Sequence, residues 1–305
     1  MIFYILISVA ATLVFAALVS HLLIKYDINL GLMSPPNKDV LTHIDYIPLI
    51  GGIAIFSSVV ICGLYFFINL EVPVKSYLLG LIPVALLGLY KDRFQEPLSP
   101  VIQICFQLLS SIQLYQRWIN INHYDFQWHS ALIFVLLCCI IINSFNFIDV
   151  MDGLAGGYIL TVFMLIGLIS IYKSNLEAAI LSFSFCGALL GFLKYNWHPA
   201  KLFMGDFGSF GLIYSALFLL ITSCPVRNSY TYLSFFLVFS VILFEFSFTF
   251  LRRIILKQSP LVGDHNHISL ILLNKGNKSN TIVAYTILIT AFTNLVAFYF
   301  YLFCF

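Results

Sequence analysis

The sequence predicts an all-α polytopic membrane protein, with about ten transmembrane helices in a single domain spanning residues 1–305 and its polar chemistry in the loops. Three observations carry that prediction. Hydrophobic residues make up 61% of the 305 positions and charged residues only 9%. Mean hydropathy is +0.99. Apolar runs of bilayer-spanning length recur from end to end. Soluble domains carry roughly a quarter charged residues, and one this size could not bury so much apolar surface. A soluble enzyme, a nucleic-acid-binding module and a disordered chain are excluded, so no nucleic-acid partner is expected.

A helix crosses a bilayer with about 20 mostly apolar residues, within a range of roughly 17 to 25. The candidate spans are 2–24, 47–70, 76–90, 100–115, 130–148, 156–172, 178–194, 208–224, 230–250 and 281–304. The first has no basic leader and no small-residue cleavage pattern before Lys25, so it reads as a retained span. The second follows a polar loop with Asn37 and His43. The third and fourth are short and extend into their loops. The fifth ends in a ladder of amides and acids, and the sixth starts in the glycines after it. The seventh runs into a basic loop, and the eighth is preceded by a Gly-Asp-Phe-Gly turn. Glu245 lies inside the ninth, and a polar loop separates it from the tenth. The seven cysteines lie in or beside these runs without a CxxC pair, as small apolar residues rather than a disulfide or zinc framework.

The charges orient the chain. Odd-numbered loops hold 11 of the 15 Lys and Arg residues and even-numbered loops hold 4. Positive residues accumulate on the cytoplasmic side. Odd loops therefore face the cytoplasm, and both termini face the periplasm or exterior of a bacterial inner membrane. Nine of the 13 acids fall in or beside the same odd loops. Acids do not set topology, so a shared cytoplasmic site is the natural cause. A secondary transporter would place its ionisable groups near mid-membrane, where only His21 and Glu245 qualify.

Two stretches carry the chemistry. In the first, Asn143, Asn146, Asp149 and Asp152 recur every third residue, which on a helix keeps them to one side. Dehydrating such a ladder at a membrane edge costs free energy unless a cation or polar ligand compensates. The second stretch, Phe203-Met-Gly205-Asp206-Phe-Gly208-Ser209, sets a carboxylate between glycines, and a helix starting there would offer its amides to phosphate. Oxygen ligands from two loops, completed by phosphates and water, describe Mg²⁺. No Cys/His set has zinc spacing.

These residues resemble the polyprenyl-phosphate N-acetylhexosamine-1-phosphate transferases (glycosyltransferase family 4). That family includes the undecaprenyl-phosphate GlcNAc-1-phosphate transferases and the phospho-N-acetylmuramoyl-pentapeptide transferases. Asn146-Phe-Ile-Asp149-Val-Met-Asp152-Gly-Leu-Ala is close to its Asn-x-x-Asp-Gly-x-Asp-Gly-Leu-Ala signature, and Phe-Met-Gly-Asp206-Phe-Gly-Ser to its Phe-Met-Gly-Asp-x-Gly-Ser. Pro36-Asn37, His43 and Pro48-Leu-Ile-Gly-Gly look like its first loop.

The resemblance implies a transferase moving an N-acetylhexosamine-1-phosphate from a UDP-sugar to a polyprenyl (undecaprenyl) phosphate, releasing UMP and initiating a cell-surface glycan. It implies Mg²⁺, with Mn²⁺ as a substitute, held by Asn146 and Asp206. Asp92, Asp149 and Asp206 would be catalytic, and Asn37, Lys91, Arg93, Asp152 and His267 would bind substrate. A homodimer is a candidate assembly. The chain's length suits initiators of O-antigen (lipopolysaccharide) or cell-wall teichoic-type glycans. It departs from the family at Lys91-Asp92-Arg93, where the family has Asp-Asp-Arg, and at His267-Ile-Ser269-Leu270, where it has His-Ile-His-His. The alternative is a catalytically impaired relative that binds nucleotide-sugar or lipid phosphate as a regulator.

Overall fold

A computed structural model describes residues 2–26, 31–34, 46–69, 73–96, 98–225, 229–257 and 267–302, with the backbone alone for 63–69. Asn37 and His43 lie outside the described residues. The elements, in chain order, are α1 (Ile2–Lys25), β1 (Met33–Ser34), β2 (Ile47–Pro48), α2 (Gly51–Asn69), α3 (Val74–Phe94), α4 (Pro100–Asn122), α5 (Trp128–Ile148), α6 (Leu154–Tyr172), α7 (Leu176–Asn196), α8 (Gly205–Ser223), α9 (Ser229–Ile255), α10 (Ile268–Asn274) and α11 (Ser279–Leu302). The two strands form a small antiparallel pair, Met33 opposite Pro48.

Each expected span has its helix, and α3 and α4 do run on into their loops. Eight helices among the described residues are long and apolar enough to cross a membrane. Of the other two, α2 is predominantly apolar over its 19 residues, Gly51–Asn69, whereas α4 carries Gln103, Gln107, Gln113, Gln116 and Arg117. The short α10 was not foreseen, because seven residues are too few for a periodic signal.

Position in the bundle follows from how apolar each helix is around its circumference. α6, α7 and α8 are apolar on all sides and form the centre; 83% of the spanning window of α8 is buried, against 22% for α1. Phe163 and Phe185 stack at 4.6 Å between α6 and α7, and Tyr158 reaches across to the Val238 carbonyl on α9. On α1 and α11 the side chains left outside include Phe3, Leu6, Leu288 and Phe292. Such residues suit contact with lipid, which the closed backbone of a helix tolerates. Helices approach closely where side chains are small. Gly187 and Gly191 of α7 face the Val9 and Leu13 carbonyls of α1, where a Cβ would come within 2.3 and 2.5 Å.

The same device aims the site. Gly80, Val84, Gly88 and Asp92 are all buried at four-residue spacing, one stripe of α3 turned to α8. The Tyr77 and Ser215 hydroxyls pair across this seam at 2.7 Å. A Cβ on Gly88 would lie 2.4 Å from the Phe207 backbone. Gly88→Ala should therefore push α3 from α8 and cost about 1–3 kcal/mol, as overpacking does. A lowered melting temperature in detergent checks this, and an unchanged one would show that the helices shift at no cost.

Candidate active site

The site is built at one end of the bundle, where the odd-numbered loops meet. The loop before α2 pairs with the loop before α8: Gly51 and Gly52 N–H donate to the Phe203 and Met204 carbonyls at 2.8 Å, and Phe203 N–H to Pro48 O at 2.9 Å. That ladder fixes the entrance of α8. Gly205 takes φ +75° at the turn into the helix, a conformation that L side chains rarely adopt, and a Cβ there would meet Asp92 Oδ2 at 2.7 Å.

Asp92 comes from the far end of the α3 stripe and caps α8 from outside. Its Oδ1 accepts from Asp206 N–H at 2.7 Å and its Oδ2 from Phe207 N–H at 2.9 Å. Met204, the local N-cap, supplies no side-chain bond. The amides expected to face phosphate at this helix start are therefore taken up by Asp92. Its carboxylate also sits at the positive end of the helix dipole.

Asp206, in the first turn of α8, gathers the other groups. Asn146 Nδ2 donates to Asp206 Oδ1 at 2.7 Å and to Ser209 Oγ at 2.9 Å. Lys91 Nζ reaches Asp206 Oδ2 at 2.7 Å and lies 5.0 Å from the Phe210 ring centre. Three helices thus converge on one carboxylate: α3 with Lys91, α5 with Asn146 and α8 itself.

The ladder of amides and acids divides where α5 stops at Ile148. Asn143 faces α4, exchanging bonds with Gln107 at 2.6 and 3.1 Å, and ties helices together rather than serving the site. Asn146 faces Asp206. Asp149 is the C-cap, its N–H on the Asn146 carbonyl. Loss of water around it, then the charges of Asp206 and Asp92, push its carboxyl up to about 7. Asp152 turns towards the loop before α8, where its Oδ2 meets His198 Nδ1 at 2.8 Å and accepts from Ala200 N–H at 3.0 Å. Asn196 locks this turn, accepting from Gly153 N–H and donating to the Leu202 carbonyl. A cavity of about 450 Å³ opens here between Met151, Asp152, His198 and the α10–α11 connection with Asn277, Lys278 and Asn280.

The remaining expected residues lie around this centre. Arg93 is exposed and donates to the Gly31 carbonyl at 3.4 Å, on the first-loop side. His267 is buried, 5.5 Å from the Phe147 ring and 3.6 Å from Glu245 Oε1. Glu245 also accepts from Ile268 N–H at 2.7 Å, so it pins the start of α10. Asn37 cannot be placed, since it falls outside the described residues. Sequence reasoning passed over His198, Asn196 and the buried Arg253, whose guanidinium lies 5.8 Å from Phe147. Only the polar run Asn196-Trp-His198 hinted at the first two.

Among the described residues no three His, Cys, Asp or Glu side chains gather within reach of one metal ion. A metal here would take few protein ligands and rely on phosphate and water, as Mg²⁺ does. The donors fit it. Asn146 Nδ2 and Asp206 Oδ1 are 2.7 Å apart. Asn146 and Asp206 would be the residues to hold it, each offering one side-chain oxygen.

Sequence comparison places the chain beside known proteins. Residues 74–224 match the family described as Glycosyl transferase family 4. That segment holds Lys91, Asp92, Asn146, Asp149, Asp152 and Asp206. The probable undecaprenyl-phosphate N-acetylglucosaminyl 1-phosphate transferase of Bacillus subtilis is 28% identical over 296 residues, covering 92% of this chain and 80% of that one. Phospho-N-acetylmuramoyl-pentapeptide-transferases of Caldicellulosiruptor bescii and Moorella thermoacetica are 31% and 35% identical, over 53% and 48% of this chain. The matched parts span about half of those two relatives, 56% and 46%.

Proposed function

We propose, from the match of residues 74–224 to glycosyl transferase family 4 and the similarity to the Bacillus subtilis protein, that the chain is a member of that family that transfers an N-acetylhexosamine-1-phosphate from a UDP-sugar to a polyprenyl phosphate and releases UMP. The observation that carries this reading is the convergence of Asn146 and Lys91 on Asp206, with Asp92 holding the helix start. An oxygen of the lipid phosphate attacks the sugar-linked phosphorus, and the bond from that phosphorus to the bridging oxygen breaks, leaving that oxygen with UMP. A phosphate monoester with a second pKa of about 6 is already mostly dianionic at pH 7. It needs positioning and charge neutralisation more than a strong base.

Asp206 and Asn146 would hold Mg²⁺, which supplies positive charge to the diphosphate. Asp149 lies close enough to Asp206 and Asp92 for their charges to raise its carboxyl. Asp152 and His198 border the cavity that would receive the nucleoside end of the donor. An apolar groove of about 350 Å³ lies between α5, α8 and α9, lined by Phe134, Ile141, Leu217, Phe235 and Phe239, in the halves of these helices away from Asp206. In this reading the site faces the cytoplasm at a bacterial inner membrane with both termini opposite, and the excess of Lys and Arg in the odd loops supports it.

The test is UMP release by the purified protein from a panel of UDP-N-acetylhexosamines with undecaprenyl phosphate. Chelation should stop release, and Mg²⁺ or Mn²⁺ should restore it. Binding of UDP without release from any donor would favour the regulator reading instead.

The pH dependence has a definite sign. The folded protein keeps the Asp149 proton up to about 7, whereas the ordinary value is 3.8. Its contribution to stability is present in acid and lost as pH rises through that window. The anionic form suited to a cation-bearing site grows over the same window. UMP release should rise between pH 6 and 8, a range set around that value, and Asp149→Asn should flatten the rise. An unchanged profile in the variant would assign the rise to another group.

A further inference from the structure

Both oxygens of Asp206 are engaged by the protein itself, Oδ1 by the Asn146 amide and Oδ2 by the Lys91 ammonium, each at 2.7 Å. Lys91 is held from a second side by the face of Phe210, one turn further along α8. Its side chain is only 21% exposed and that of Asp206 only 26%, so water screens the pair incompletely. Nearby Asp92 spends both its oxygens on backbone amides, which leaves Asp206 as the acceptor for this ammonium. An ammonium on a flexible four-carbon stem can leave such a contact when another anion is offered.

We propose that Lys91 is a tethered counter-ion that occupies Asp206 at rest, so that a divalent cation binds firmly only when a diphosphate arrives and takes over the ammonium. This rests on the reading of Asp206 as the metal-binding carboxylate. A divalent cation beside Asp206 meets the repulsion of Lys91 as long as that side chain has no other partner. A diphosphate brings negative charge for both cations at once. It therefore removes the competitor and adds ligands to the metal in the same step. Linkage makes the effect reciprocal: the diphosphate tightens metal binding by the factor by which metal tightens diphosphate binding. Lys91 is in this sense a positioning residue that sets the order of assembly.

The test uses Mn²⁺ alone, followed by the loss of its free paramagnetic resonance signal on titration with the purified full chain, with and without UDP. In the wild type, UDP should tighten Mn²⁺ binding about ten-fold or more, within the usual range of coupling between sites. Lys91→Met should bind Mn²⁺ about ten-fold tighter than wild type without UDP, and the UDP effect should shrink accordingly. Lys91→Arg, which keeps the charge, should behave as wild type. Equal Mn²⁺ affinity in wild type and Lys91→Met, with melting temperatures alike, overturns the inference while leaving the metal site standing. No Mn²⁺ binding by any form with UDP present overturns the metal reading of Asp206 and this inference with it. If Lys91→Met does not fold, Lys91→Gln takes its place, and a wild type indifferent to UDP is enough to reject the proposal.

Discussion

Asp206→Ala should reduce UMP release by about a thousand-fold or more, the upper range for deleting one group that stabilises transition-state charge. Asp206 is the point where Asn146 and Lys91 meet, so the substitution removes the proposed metal ligand and leaves an amide and an ammonium without their shared acceptor. The fold should survive, because the backbone N–H of residue 206, not its side chain, carries the bond to Asp92. Mn²⁺ binding should disappear in the same variant. Asp206→Asn keeps an oxygen but loses the charge, and should fall between alanine and wild type in metal binding. Release above a tenth of the wild-type rate in Asp206→Ala would move the chemistry elsewhere.

Asp92→Ala should be the most destabilising single change at the site. Asp92 is 4% exposed and serves two backbone N–H groups at the start of α8. Hydrogen bonds to a charged group contribute about 1.5–3 kcal/mol each, so losing both costs about 3 kcal/mol or more. The melting temperature in detergent should drop by several degrees, with Gly205–Phe207 gaining amide exchange. Asp92→Asn keeps one oxygen and should recover a large part of that loss. This variant also separates the two roles open to Asp92. If Asp92 only positions α8, Asp92→Asn retains UMP release with a raised KM. If its charge acts on the substrate, kcat collapses although the protein stays folded.

Much of the fold could be read from the sequence because the bilayer imposes length and polarity on each helix separately. The apolar runs place α1, α5 and α11 to within a few residues, with no knowledge of their neighbours. Helix ends were harder. α4 reaches Asn122 and α9 reaches Ile255 because polar and basic turns continue the helix past the apolar window. In the site, Asn146 and Asp206 stood out because both sit in short motifs of polar residues and glycine beside apolar spans. Their meeting at 2.7 Å was not visible, since 60 residues separate them.

The partner of each polar group was therefore beyond sequence reasoning. Asn143 and Asn146 look equivalent three residues apart, yet one faces Gln107 on α4 and the other Asp206 on α8. Asp92 and Lys91 are neighbours in the chain, but the twist of α3 sends one to the backbone of α8 and the other to its first carboxylate. Charge scarcity in the sequence by itself determined that this is a polytopic membrane protein, with most of its few charges in the odd loops. A hydrophobic solvent filters residues one helix at a time, and that filter leaves a readable record. Only the tertiary structure decided which of the few charges cap a helix and which pair with each other. Hydrogen bonds act over about 3 Å, and those distances are set by helix packing between segments far apart in the chain.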